Sequence, residues 1–173
     1  FAVLYDPNEA MPPSDLATLK HWSRLAEKQG VEVEPITKKD LARLAEFDAL
    51  FIRETTSIDN HTYRFAKKAE EEGMPVIDDT SSIMRCTNKV FLAELLKAKK
   101  IPMPRAVILN RENLGEAESQ ISYPIILKIP DGSFSRGIHK AENREELQRF
   151  SDELLRRSEV VLAQEFMYTE FDW

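Results

Sequence analysis

The amino-acid sequence predicts an α/β fold whose first half is a doubly wound parallel sheet. Short apolar runs that suit buried strands alternate there with longer segments in which apolar residues recur at helical spacing. The resulting order is β-α-β-α-β-α-β, and such alternation favours a parallel sheet with helices on both faces. The second half differs, because a β-branched run leads directly into a loop rich in glycine and serine at 131–137.

The first elements follow from local signals. A strand is predicted at 2–5, and Ser14 is the candidate N-cap of a helix whose apolar face runs from 16 to 26. Gly30 ends this helix, since glycine readily adopts the left-handed conformation found after helix C-termini. A second strand is expected at 31–33, where two valines alternate with glutamate.

The next elements repeat the alternation. Thr37 and Asp40 have the spacing of a variant capping box and predict the start of a second helix. A buried strand is expected at 49–52, followed by a third helix at 61–72 and a fourth strand at 76–77. The Asp-Asp-Thr sequence after that strand is predicted to be a turn whose Thr80 or Ser81 caps the following helix.

Two loops of the first half are candidate ligand contacts. In parallel sheets ligands bind beyond the carboxyl ends of the strands, and these ends lead into 6–13 and 53–59. Arg53 and Thr55 provide a guanidinium and a hydroxyl, which suit a carboxylate or a phosphate. The alternative is a polar loop that caps the third helix, with Arg53 paired to Glu54 or another nearby acid.

The segment from Tyr123 to Gly137 is the most informative part of the chain. The chain has five glycines, and two of them lie in this loop, which indicates a need for backbone freedom. Small residues let several backbone N–H groups point at one anion, and a lysine and an arginine add positive charge. The pattern predicts a strand–loop–strand that covers a polyphosphate; the alternative is a hairpin with a solvated turn. The candidate residues are Lys128, Gly132, Ser133, Ser135, Arg136 and Gly137.

Lys89 is a second candidate anion contact. It opens a predicted helix, 88–99, which Asn88 or Thr87 can cap. A cation in the first turn is unfavourable against the helix dipole, so this position suggests a nearby anion. The apolar residues surround too much of this helix for one-sided burial, and part of them should be exposed or covered by another copy. Prolines in 102–104 then end the helix and open a strand.

The motifs of the second half stand in a characteristic order, namely Asn88-Lys89, the Ile-Pro-x-Pro of 101–104, the Tyr-Pro-Ile-Ile-Leu-Lys of 123–128, the Gly-Ser loop and the Leu-Ala-Gln-Glu-Phe of 162–166. This order resembles the ATP-grasp superfamily, in particular RimK-like glutamate ligases and glutathione synthetases. The resemblance covers residues 76–173 well. Residues 1–79 resemble, more loosely, the domain that precedes ATP-grasp in those enzymes.

The resemblance implies an architecture and a set of nucleotide contacts. Its parts would be a pre-ATP-grasp α/β domain at 1–79, a connecting helix and linker at 80–104, and an α+β nucleotide-binding lid domain at 105–173. Lys89 and Lys128 would contact the phosphates, and the loop 131–137 would close over them. The adenine edge and the ribose would be met by Gln164, Glu165, Phe166, Met167 and Asp172. Arg53 and Thr55 would face the substrate.

The resemblance also implies ATP and Mg²⁺ as cofactors of an enzyme that phosphorylates a carboxylate and lets an amine displace the acyl phosphate. In the family the metal-binding acids and most acceptor contacts lie beyond the position of Trp173. We therefore expect a fragment that lacks the C-terminal ATP-grasp sheet, holds no catalytic or metal-binding residue and is inactive alone. The alternatives are a non-enzymatic nucleotide-binding or partner-docking module, and a carboxylase or carbamoyl enzyme of the same fold.

Composition limits the class of protein. The chain has 173 residues, 31% charged and 42% apolar, which suits one or two globular domains. The net charge is −6 and no basic stripe is evident, so nucleic acid is disfavoured as a partner. No apolar run reaches the length of a membrane span. Cys86 is the single cysteine, which precludes an internal disulfide and fits a cytoplasmic protein. The oligomeric state is open and includes a homo-oligomer.

Overall fold

The computed structural model describes residues 1–131 and 137–171. The chain divides into two compact units, Phe1–Met84 and Arg85–Trp173. Five of the candidate residues lie outside the described part, namely Gly132, Ser133, Ser135, Arg136 and Asp172. None of the helices in the described part is both long enough and apolar enough to cross a membrane.

The first unit is built on a parallel sheet of four strands in the order β2-β1-β3-β4. The predicted parallel α/β architecture is therefore confirmed. Its elements are β1 (Ala2–Leu4), α1 (Leu16–Glu27), β2 (Glu34–Ile36), a 3-10 helix (Lys38–Glu46), β3 (Leu50–Ile52), α2 (His61–Glu71) and β4 (Val76–Ile77). The helix α3 (Thr80–Thr87) begins in this unit and ends in the second one.

The core of this unit lies against the central strands. All three residues of β1 are buried, as expected for a strand covered on both faces of a parallel sheet. Helix α2 contributes Phe65, Ala66 and Ala69, which are fully buried in the same cluster. The predicted capping box is present, because the Thr37 N–H donates to Asp40 Oδ2 at 2.8 Å.

The second strand is displaced from its predicted position, and the prediction at 31–33 was wrong. Gly30 has φ +74°, and the Val31 N–H donates to the Ala26 carbonyl at 3.1 Å, so this stretch closes α1 instead. The strand begins at Glu34 and includes Pro35, which lacks an N–H. Pro35 is tolerated because β2 is an edge strand of the sheet.

Carboxylates, not the predicted hydroxyls, cap two helices. The Thr18 N–H donates to Asp15 Oδ1 at 2.7 Å, so Asp15 and not Ser14 caps α1. The Ser82 N–H donates to Asp79 Oδ1 at 2.9 Å at the start of α3, in place of a cap by Thr80 or Ser81. A negative charge at a helix N-terminus makes a stronger, charge-assisted hydrogen bond, which favours aspartate over a neighbouring serine.

The second unit contains an antiparallel sheet of four strands in the order β5-β8-β6-β7. This α+β arrangement agrees with the fold that the resemblance implied. Its elements are α4 (Lys89–Ala98), β5 (Ala106–Leu109), α5 (Gly115–Gln120), β6 (Ile125–Lys128), β7 (Ile138–Ala141), α6 (Arg144–Leu154) and β8 (Val161–Glu165).

The two faces of this sheet have different characters. One face carries Leu127 and Ala163, which are buried in a core that includes Leu147 and Leu154 of α6. Because side chains alternate along a strand, Lys128 must lie on the opposite face. Alternate residues of β6 therefore face the hydrophobic core, and the others lie on the sheet face that carries Lys128.

Helix α4 has no fully buried side chain, and Phe91 is 48% exposed. The prediction that part of its apolar surface would remain exposed is confirmed. The helix packs against β8.

Gly137 meets a strict backbone requirement at the start of β7. Its φ is +70°, and a Cβ atom there would lie 2.8 Å from Ile129 Cδ1. The Ile129 N–H donates to the Gly137 carbonyl at 3.2 Å. Glycine is needed because an L side chain would be strained in this conformation and would clash with Ile129. This close approach fixes the chain directly after Lys128.

Candidate functional site

Lys128 lies at the end of β6, on the sheet face away from the core. Its Nζ donates to Gln164 Oε1 on β8 at 2.6 Å. The two residues are diagonal neighbours, because Lys128 pairs with Leu162 in the strand register. Burial lowers the pKa of Lys128, and the positive charge of Lys89 lowers it further.

Lys89 is brought to the same place by the start of α4. Its backbone N–H donates to the Pro130 carbonyl at 2.9 Å, which ties the helix to the end of β6. Asn88 caps the helix through the Phe91 N–H at 3.0 Å, and its amide donates to Asp131 Oδ1 at 2.9 Å. Burial lowers the pKa of Lys89, while the carboxylate of Asp131 acts in the opposite direction.

The two lysines form a local concentration of positive charge. Both side chains are half-buried, and burial lowers the pKa of each ammonium group. Desolvation disfavours both ammonium forms in the free protein, and the charge of Lys89 further disfavours that of Lys128. An anion between them would relieve both costs, and a polyphosphate has enough charged oxygens to contact both. The charge of Lys89 thus reaches Lys128, and the role of the two lysines in phosphate binding stays a prediction.

A pH dependence of anion binding follows from these pKa shifts. Each lysine must be protonated to attract a phosphate, and each has a pKa below the ordinary value of 10.5. We therefore expect ATP affinity to fall as pH rises through the alkaline range, beginning at lower pH than exposed lysines would give. Titration calorimetry from about pH 7 to about pH 10 measures this. Lys128→Arg should shift the decline to higher pH, because the guanidinium stays charged. An affinity that is constant over this range would contradict the assignment.

Gln164 and Glu165, two predicted adenine-edge residues, have different partners. Gln164 accepts the hydrogen bond from Lys128. The Glu165 carboxylate accepts from the Arg105 N–H at 2.8 Å and from Arg105 Nε at 3.0 Å. The backbone hydrogen bond is the largest reason why the pKa of Glu165 is lowered. Glu165 thus joins β8 to the residue before β5.

Phe166 and Met167 directly follow β8 and are 42% and 57% exposed. The Phe166 ring lies 4.4 Å from Lys140 Nζ, measured to the ring centroid. Lys140 pairs with Ile126 across β6 and β7, so it shares the sheet face of Lys128. The sequence reasoning missed this third lysine. Strand alternation after Gly137 would have placed it on the correct face.

In the first unit, Arg53 joins two loops. Its Nε and Nη2 donate to Ser14 Oγ at 3.1 and 2.5 Å, and Nη2 also donates to the Pro13 carbonyl at 2.7 Å. The guanidinium lies 5.4 Å from the centre of the Phe51 ring. The alternative interpretation paired Arg53 with Glu54 or another acid, whereas its guanidinium donors go to Ser14 and Pro13. Arg53 instead uses these donors to fix the loop that precedes α1.

Thr55 makes a second link between the same loops. Its N–H donates to Glu9 Oε1 at 3.1 Å, and its hydroxyl donates to the same oxygen. The loops after β1 and β3 therefore meet at one end of the sheet, as parallel topology requires for adjacent strands. The roles of Arg53 and Thr55 in ligand binding remain predictions.

Three acidic residues and a histidine, which the sequence reasoning did not single out, lie at this end of the sheet. Glu54 is 6% exposed, and its Oε2 contacts His61 Nε2. Burial raises the pKa of Glu54; His61 opposes this, and the charges of Asp6 and Glu9 add to it. The sequence signal that could have identified Glu54 is its position, because it is the second residue after the buried strand β3.

Among residues 1–131 and 137–171, no group of three or more His, Cys, Asp or Glu side chains is placed to hold a metal ion. Mg²⁺ in nucleotide sites is commonly held by one or two carboxylates together with phosphate oxygens and water.

Sequence comparison relates this chain to ligases. No protein-family model matches the sequence. The α-aminoadipate–LysW ligase LysX of Saccharolobus solfataricus is 30% identical over 160 residues, which cover 81% of this chain and 54% of that protein. The chain spans about half the length of this protein and of two further LysX relatives.

Solved structures share the fold at low sequence identity. A RimK domain ATP-grasp protein from Sphaerobacter thermophilus matches 98% of this chain and 64% of its own, with a TM-score of 0.75 and 16% identity. The D-alanine–D-alanine ligase of Bacillus anthracis, complexed with ATP, matches 96% of this chain and 58% of its own, with a TM-score of 0.67 and 16% identity. Both units of the chain are thus covered by known folds.

Proposed function

We propose that this chain, which is a relative of the RimK-like ATP-grasp ligases, binds MgATP in an enzyme that joins a carboxylate to an amine. The observation that carries the proposal is the pair of half-buried lysines, Lys89 and Lys128, at the end of β6. In the proposed division, 1–79 is the pre-ATP-grasp domain, 80–104 the connection and 105–173 the nucleotide-binding lid.

The proposed reaction has two steps. A carboxylate oxygen attacks the γ-phosphorus of ATP, and ADP leaves, which produces an acyl phosphate. The amine nitrogen then attacks the acyl carbon, inorganic phosphate leaves, and the nitrogen loses a proton to give the amide. When bound, Mg²⁺ would neutralise charge on the phosphate oxygens.

The two lysines have a defined task in this scheme. Phosphoryl transfer depends mainly on positioning and on stabilising charge at the phosphate oxygens. Gln164 orients the ammonium group of Lys128 before the nucleotide arrives. The hydrogen bond from the Lys89 backbone N–H to Pro130 fixes the start of α4, from which the Lys89 side chain extends. Preorganised charge in a partly desolvated place stabilises a transition state more than charge in water does.

The remaining nucleotide contacts extend this proposal along β8. The exposed Phe166 and Met167 follow the strand and offer apolar surface to the adenine ring. Lys140 lies against the Phe166 ring and adds a cation on the same side of the sheet. The proposed compartment is the cytoplasm, which supplies ATP.

A ligation assay on the full-length protein tests the proposal. The protein is incubated with MgATP and a panel of amino acids, singly and in pairs, while ADP release and product mass are followed. We expect ADP release that requires an acid and an amine together, with an amide product of the matching mass. ATP binding with no ADP release from any pair would favour the nucleotide-binding or partner-docking module instead.

A further inference from the structure

The two faces of the parallel sheet in the first unit are packed differently. Ala2 and Leu4 of β1 belong to the hydrophobic core that includes helix α2. Strand alternation places Val3 on the opposite face, where it is buried outside that core cluster. On this second face, a cavity of about 310 Å³ lies between helix α1 and the strands. The second face is therefore incompletely filled by the protein.

This cavity, which we call the α1 recess, has mainly apolar walls. Val3 and Pro35, which are partners in the register of β1 and β2, form one side. Leu16, Leu19 and Trp22 of α1 line the other side. Leu16 is 50% exposed, which marks where the recess opens to solvent. The volume lies at the lower end of the range of about 300–1,000 Å³ that is usual for small-molecule sites.

Trp22 is held in a position that leaves the recess unfilled. Its ring makes edge-on contacts with Phe1 and Phe51, at 5.4 and 5.3 Å between ring centroids. Turning the ring into the recess would break both aromatic contacts. Atoms that line an apolar void lack contact partners on one side, so an apolar ligand of suitable size gains those dispersion contacts.

Two cations lie beside this apolar cavity. Lys20 and Arg24 of α1 both line the recess, and their spacing of four positions places them on the same face of the helix. Within the described residues, neither side chain makes a hydrogen bond or an ion pair. The chain as a whole carries a net charge of −6, so these two cations are a local excess of positive charge.

The lining therefore favours an organic acid with a single charged group. A carboxylate can accept two parallel hydrogen bonds from the Arg24 guanidinium and a further one from the Lys20 ammonium group. Glu27, which lines the recess one turn after Arg24, would repel a second anionic group. At roughly 30 Å³ for each water-sized group, the volume accommodates about ten such groups.

We propose that the first unit binds a small apolar carboxylate in the α1 recess. The apolar part of the ligand packs against Val3 and Pro35, and its carboxylate binds Lys20 and Arg24. None of the described residues that line the recess belongs to the loops at 6–13 and 53–59 or to the second unit. This binding is therefore independent of ATP and of the proposed ligation.

The test uses 4-phenylbutyrate as the probe on the full-length protein without ATP. Calorimetry measures its affinity, and NMR follows the indole N–H signal of Trp22, which is assigned with the Trp22→Phe variant. We expect saturable heat together with a saturable shift of the Trp22 signal. The uncharged 4-phenylbutan-1-ol should bind about tenfold more weakly or less, because it lacks the charge-assisted hydrogen bonds. Acetate, which lacks the apolar part, should leave the Trp22 signal unchanged.

Two variants and one control locate the site. The double variant Lys20→Gln, Arg24→Gln should weaken 4-phenylbutyrate binding about tenfold or more and leave binding of 4-phenylbutan-1-ol unchanged. Ser23→Leu puts a larger apolar side chain at a half-buried lining position and should abolish binding of both compounds. Lys28→Gln removes an exposed charge that follows α1 and does not line the recess, so we expect an effect of less than about twofold.

Four results would overturn the proposal. The first is the absence of saturable heat with 4-phenylbutyrate. Equal affinities for 4-phenylbutyrate and 4-phenylbutan-1-ol would indicate an apolar cavity that does not select an acid. Binding that neither shifts the Trp22 signal nor responds to the double variant would lie elsewhere on the protein. A Trp22 signal that depends on protein concentration without ligand would indicate that a second copy of the chain covers the recess. If Ser23→Leu does not fold, as judged by circular dichroism, the double variant still decides the question.

Discussion

Replacing Lys128 by alanine is expected to weaken MgATP binding about ten- to a hundred-fold. One charge-assisted phosphate contact contributes about 1.5–3 kcal/mol, which corresponds to that range of affinity. The Lys128 ammonium group is half-buried and oriented by Gln164 at 2.6 Å, so another side chain does not easily replace it. Titration calorimetry of the full-length protein measures the change directly.

Lys99→Ala is the matched control for this variant. Lys99 is an exposed lysine at the other end of the helix that begins with Lys89, and its removal changes the net charge by the same amount. We expect its effect on affinity to be less than about twofold, because exposed charges are screened by salt. Equal affinities of the Lys128→Ala and parent proteins would remove Lys128 from the site. Lys128→Met, which keeps most of the side-chain length, separates loss of charge from loss of packing.

Leu127→Ala, at the adjacent position, is expected to destabilise the second unit by about 2–5 kcal/mol. Leu127 is 0% exposed, and its removal leaves a cavity in a core that cannot fully collapse. Hydrogen exchange of the β6 and β8 amides reports this loss for the second unit separately from the first. Urea denaturation followed by circular dichroism gives the free energy of unfolding.

The two neighbouring variants act as each other's control. Lys128→Ala leaves the core intact and should change the free energy of unfolding by about 1 kcal/mol or less. Leu127→Ala should reduce ATP affinity only through the fraction of protein that is unfolded. A loss of stability from Lys128→Ala that matched that of Leu127→Ala would mean that the lysine serves the fold and not a ligand.

Much of the fold could be predicted because its signals are local. Helix α2 and strands β3 and β4 lie close to their predicted positions, since apolar spacing and strand length act over a few residues. The capping box of Thr37 and Asp40 involves positions three apart. Lys89 was singled out for a similar reason. The unfavourable interaction of its positive charge with the helix dipole depends only on the helix that it begins.

The errors arose where two local signals competed. Ser14 and Asp15 are adjacent, and each can cap α1; the carboxylate does so in the structure. Ser14 instead accepts hydrogen bonds from Arg53, which lies 39 positions away in the chain. The second strand begins at Glu34 because the pairing of β2 with β1, and not the valines before it, determines the register.

The sequence by itself determined the α/β order, most helix boundaries and the identity of two phosphate-binding candidates, because spacing and capping are properties of short segments. The tertiary structure decided which side chains meet. Lys128 reaches Gln164 across 36 positions, and Thr55 reaches Glu9 across 46. Only strand pairing brings such residues together. The lysines of the second unit were therefore anticipated, whereas the contacts of Glu9 with Thr55 and of Glu54 with His61 became visible only through the fold.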